Sequence, residues 1–164
     1  MAELTKLEAK LGEVTGLAMA AQDAGKKVKR LAEGEADDLV QQLEQMVREA
    51  AETEERCVEL ASGFEGKKTA ILDEARATKS KASEMLSTYL DSDSDALDGF
   101  EFLTMAEAGE LGHWAVLQEL TQRAGNAELQ GLVEWALPIQ QRHFAAVSDG
   151  SLKLAAEEDP SEPA

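Results

Sequence analysis

The chain is expected to be all-α, on three observations. Aromatic residues make up only 4% of it. Apolar residues recur at spacings of three and four rather than two, and Ala, Leu, Glu, Lys and Gln dominate the composition. Two long hairpins joined by a connection that is itself helical then predict a four-helix bundle with an additional helical crossover between helices two and three.

The elements follow in order. Leu4, Leu7, Leu11, Val14, Ala18, Ala21, Gly25 and Val28 form one stripe, which predicts a first helix over about 4–32 ending near Gly34. Asp37 or a neighbour opens a second helix over 37–62, carrying Leu39, Leu43, Met46, Ala50, Cys57 and Leu60 and closing in the glycine-rich SGFEG. A weaker stripe of Ile71, Ala75, Ala82, Met85 and Tyr89 makes 67–90 the helical connection. In DSDSDALD, Ser and Asp supply N-caps for a long helix over 96–124. Gly125 and Asn126 break it. A last helix over 127–147 carries Leu129, Leu132, Val133, Ala136, His143, Phe144 and Val147, with Pro138 expected to kink it. Residues 1–147 thus form one bundle domain. Residues 148–164, ending in AAEEDPSEPA, lack apolar periodicity and read as an acidic, disordered tail.

Thirty-three acids against sixteen bases give a net charge of −17, which opposes binding to phosphate backbones and anionic lipid. The bland reading of that charge is a solvated surface. One cysteine, Cys57, cannot form an internal disulfide. MAELTKLEAK has no secretory pattern, and no run reaches the roughly 18 apolar residues of a membrane span. A reducing cytoplasm is the expected compartment.

The informative residues are polar ones on apolar arcs. In EAGELGHW, at about 100° per residue from Leu117, Glu110 falls at roughly 20°, His113 at roughly −40° and Glu107 at roughly 80°. Glu101 and Glu119 point the other way. On the last helix, Gln140 and His143 fall within roughly 40° of Ala136, while Glu134 turns outward. A hairpin about Gly125 sets Glu110 level with Gln140 and Glu107 level with His143. On the second helix Glu54 shares the Ala50 and Cys57 side, with Glu52 and Glu55 turned away. Buried carboxylates need a partner, a proton or a metal. Converging carboxylates and imidazoles in a bundle suit iron or manganese. E-L-G-H at 110–113 offers two such ligands one turn apart.

These residues resemble the ferritin-like superfamily. Their order is most similar to the uncharacterised, stress-associated bacterial YciE/YciF-type family, over most of 36–147. REAAETEERCVEL, around Thr53, looks like that family's second-helix signature. Residues 107–143 are similar to its third and fourth helices, with Glu107 seven residues before Trp114 and Gln140–His143 in place of E-x-x-H. The resemblance implies a ferritin-like bundle, metal ligands among Glu107, Glu110, His113, His143, Glu54 and Gln140, and a homodimer. The chain departs from the pattern where the first helix presents Val14, Ala18, Ala21 and Gly25 instead of a Glu, where Arg56 replaces a second-helix His or Gln, and where Gln140 replaces a Glu. Those departures favour a mononuclear site over a complete dinuclear centre.

Two function classes stay open. One is a metal-binding ferritin-like protein, extending to oxidoreductase chemistry on iron, oxygen or peroxide. The other is a non-catalytic bundle that has lost its metal, with Arg56 paired to core acids in the ion's stead, and that acts through dimerisation or a protein partner.

Overall fold

A computed structural model describes residues 2–163 of the protein. Among these residues there are five helices and no strand: α1 (Lys6–Ala32), α2 (Asp37–Ala61), α3 (Lys68–Tyr89), α4 (Ala96–Ala124) and α5 (Ala127–Ala155).

Local chemistry sets the starts. Thr5 and Glu8 form a capping box, Thr5 Oγ1 accepting from Glu8 N at 3.2 Å and Glu8 Oε2 from Thr5 N at 2.7 Å. Asp95 and Asp98 repeat it at α4. Asn126 Oδ1 accepts from Leu129 N at 3.0 Å and caps α5. Between α4 and α5 a single left-handed residue, Gly125 with φ 64°, reverses the chain.

Two elements differ from the sequence reading. The last helix does not stop at 147 but runs on to Ala155, continuous across Pro138. The extension is held by packing: Gly150 lets the backbone sit against the Phe100 ring, and Leu154 is buried in the core. The second half of the α3 stripe is left uncovered. Ala70, Ile71 and Ala75 are buried, whereas Met85 and Tyr89 are 48% and 58% exposed.

Helices α1, α2, α5 and α4 touch one another in a closed ring, and α3 lies outside it against α1. Helix α1 therefore packs on three neighbours. Its contact with α3 is at backbone distance: a Cβ on Gly12 would stand 2.7 Å from the Ile71 carbonyl oxygen, and one on Gly16 only 2.2 Å from that of Ala75. Only glycine fits there.

The core comes in two apolar clusters. One gathers Val28, Leu39, Leu43, Phe100, Leu103 and Val147 at one end of the ring. The other gathers Leu11, Val14, Cys57, Trp114, Leu117, Val133 and Ala136 at the opposite end. The segments between them, around Ala18 on α1, Ala50 on α2, Glu107 on α4 and Gln140 on α5, meet in a middle layer. That layer is polar.

No helix is long and apolar enough to cross a membrane among the described residues.

Candidate functional site

Glu107, Glu110, Gln140 and His143 are 3%, 4%, 1% and 3% exposed, so all four side chains are withdrawn into the middle layer. Helical spacing explains the pairs. Glu107 and Glu110 sit one turn apart on α4, and Gln140 and His143 one turn apart on α5. The antiparallel α4/α5 hairpin brings His143 Nδ1 to 3.8 Å from Glu107 Oε2.

The layer is rich in acceptors and poor in donors. Glu107 Oε2, Glu110 Oε1, Gln140 Oε1 and His143 Nε2 are buried without a hydrogen-bond partner, as is the indole Nε1 of Trp114. Each such group forfeits about 1–3 kcal/mol of hydration if nothing replaces it. Several in one layer is far from the usual pairing of buried polar groups.

Electrostatics follow from this burial. Desolvation, and then the charge of Glu110, push the Glu107 carboxyl well above the ordinary carboxylate range. Desolvation raises Glu110 to about 7, opposed by the nearby Trp114 indole. The same cause lowers His143, against a pull upward from Glu49. Around neutral pH the layer thus holds Glu110 near its proton-exchange point, with Glu107 raised by the same burial and His143 shifted toward the neutral imidazole. An imidazole nitrogen and carboxylate oxygens are the donor set that suits iron or manganese.

Glu49 belongs to the same site. It stands on α2 with its side chain 15% exposed, and its Oε2 lies 3.4 Å from His143 Nε2. His143 therefore sits between two carboxylates, Glu107 on the core side and Glu49 on the outer side. Arg142 forms an ion pair with Glu49 from outside. The sequence signal for Glu49 is its place three residues after Met46 and four before Thr53, both buried.

The remaining candidates are placed elsewhere. His113 is 42% exposed in its side chain, with Nδ1 3.2 Å from both Glu13 Oε2 and Lys10 Nζ. It lies at the edge of the α4 arc, where α1 offers these two charged partners, and it does not join the buried layer. Glu54 faces α1, accepting from Gln22 Nε2 at 2.5 Å. Arg56 is outside the core, paired with Glu52 at 2.8 Å and stacked over the Trp135 ring at 4.1 Å. It supplies no cation to the core acids. Helix α1 contributes no carboxylate to the layer; Ala18 is fully buried at that level.

Cys57 adjoins the layer. It is buried, and desolvation raises its thiol to about 12, with the negative charges of Glu110 and Glu54 adding to the rise and a Thr15 contact opposing it.

Two openings flank the layer. Between α2 and α5 an open groove of ≈ 570 Å³ is lined by Arg48, Glu49, Glu52, Trp135, Ile139 and Arg142. A second hollow beside it, of ≈ 200 Å³, reaches His143 past Glu49. Between α1, α3 and α4 a narrower cleft has Glu107 and Glu110 in its wall. Among the described residues, no three His, Cys, Asp or Glu side chains already stand in metal-ligand geometry. No protein-family model, curated protein or solved structure matches the chain.

Proposed function

We propose that the protein is a ferritin-like helical bundle that holds one metal ion, iron or manganese, in its middle polar layer. Glu107, Glu110 and His143 would be the main ligands, with Glu49 and Gln140 completing the set. The observation that carries this reading is the group of buried oxygens and an imidazole nitrogen without partners in one layer. A divalent cation satisfies several acceptors at once, and it lowers the carboxyls that burial raises. One ion suits the donor set better than two, because α1 supplies no carboxylate and Gln140 is neutral. When bound, such an ion would supply Lewis acidity or one-electron chemistry. The chain's own part is to bind the ion and to shield it from bulk water, with openings past Glu49 on one flank and along Glu107 and Glu110 on the other.

The test is metal analysis of protein produced under separate iron and manganese supply, with thermal unfolding before and after chelation. Near-stoichiometric metal is expected, lost in Glu110→Ala and His143→Ala. Metal at background in the parent protein, with no thermal shift on adding either ion, would sink the proposal.

The second reading is a metal-free bundle that acts through a second copy or a protein partner. It is favoured by Tyr89 and Met105, exposed beside Phe102 on α3 and α4, and by Met85, exposed one turn before Tyr89 on α3. On this reading the two variants change stability alone, and Tyr89→Glu shifts the parent's sedimentation toward the monomer.

A further inference from the structure

The cleft between α1, α3 and α4 differs in kind from the α2/α5 groove. It measures ≈ 50 Å³, and nine of its twelve lining residues are apolar. Ala20, Ala21 and Ala24 from α1, Ala82 from α3 and Ala106 from α4 leave the space that larger side chains would fill. Its wall also includes Glu107 and Glu110, each nearly fully buried and each with a carboxyl oxygen lacking a donor.

Size and chemistry together define an occupant. A single water needs about 10–15 Å³ measured this way, so the cleft has room for a body of about three or four heavy atoms. Apolar walls disfavour a fully hydrated ion, and they give a water few of the partners it needs. Unpartnered carboxyl oxygens favour a donor. A molecule with one alkyl end and one N–H or O–H end meets both demands.

We propose that this cleft binds a small aliphatic molecule with a hydrogen-bond-donating head, a short-chain alcohol or amine. Its alkyl part lies against the alanines and its head on the Glu107 and Glu110 carboxyls. The site needs no bound metal, since its walls and both acceptors belong to the chain itself, and a metal on Glu107 and Glu110 would compete with it for the same oxygens.

Crystals of the full chain soaked separately with ethanol, ethylamine and xenon test this, alongside thermal unfolding of the protein titrated with each. Density for ethanol or ethylamine is expected in the cleft, its head within hydrogen-bond reach of Glu107 or Glu110, with a concentration-dependent rise in Tm. Ala82→Leu and, at a neighbouring lining position, Ser83→Leu should each weaken that response at least about tenfold. Glu107→Gln separates the two heads: it should weaken ethylamine about tenfold and change ethanol by less than about threefold. Xenon in the cleft with neither donor bound would reduce it to a packing void and overturn the proposal, and so would an empty cleft in all three soaks. The soaks and titrations use protein stripped of metal with a chelator, because an ion on Glu107 and Glu110 would compete for the same oxygens; metal content of the unchelated protein reads the metal site separately.

Discussion

The two flanks of the polar layer are built on opposite rules. On the α1/α3 flank, Gly12 and Gly16 bring two backbones into contact, and no side chain there can grow. On the α2/α5 flank the helices stand apart around a groove of ≈ 570 Å³ lined by charged and aromatic groups. The tight flank fixes where α3 sits against α1, and α1 in turn packs on α4, which carries Glu107 and Glu110. The open flank carries the route by which solvent reaches Glu49 and His143. Rigidity and access are thus assigned to different helix pairs, and α1, hemmed in by three neighbours, is the helix with no carboxylate at this level.

The largest effect that would break this contrast is on the tight flank. Gly16→Leu would force its side chain into the Ala75 carbonyl and Thr78, and should cost about 3 kcal/mol or more, or roughly 6–12 °C in Tm. Equilibrium denaturation measures it, and a change under 1 kcal/mol would mean that α3 can move away without penalty.

Next in size is the carboxyl pair. In metal-free protein, raised carboxyls favour folding while protonated. Their contribution is fully present below the ordinary carboxylate value near 4.5 and is lost as pH rises through the value of about 7 for Glu110. Stability should therefore fall between about pH 4.5 and 7, opposite to a protein held by salt-bridged acids. Glu110→Gln should flatten that slope and be more stable than the parent at pH 8, by an amount on the order of 1–3 kcal/mol. Urea midpoints across this pH range decide it. Equal slopes in parent and variant would show that the pair is not the titrating element.

The smallest expected effect is on the open flank. Arg48→Ala removes an exposed side chain with no ion-pair partner among the described residues, and should change stability by less than about 0.5 kcal/mol. Arg142→Ala, which breaks an ion pair exposed on the arginine side, should cost less than about 1 kcal/mol. A loss comparable to that of Gly16→Leu would mean the groove is closed by interactions that its geometry does not show.

Much of this was legible in the sequence because helical periodicity decides both burial and facing. Leu11, Val14, Ala18, Leu39, Leu43 and Ala50 lie on predicted stripes and are buried, and so do Glu107, Glu110, Gln140 and His143. Two kinds of residue escaped. His113 lies at the rim of its arc, where the angle alone cannot say whether the neighbouring helix presents apolar or charged groups; α1 presents Lys10 and Glu13. Glu49 was hidden among the acids of an acid-rich helix, since only the α5 partner, His143, distinguishes it from Glu52. The end of α5 was hidden for another reason. SDGSLKLAAEE reads as a polar stop, and only the Phe100 ring shows why Gly150 can continue the helix.

Cys57 adds a property of its own. It is the chain's one thiol, it has no exposed surface, and its acidity is suppressed to about 12. A thiol reagent in the medium can therefore reach it only when α2 separates from α1 and α4 beside Glu110. The rate of its modification is a clock for that opening, readable without introducing any label.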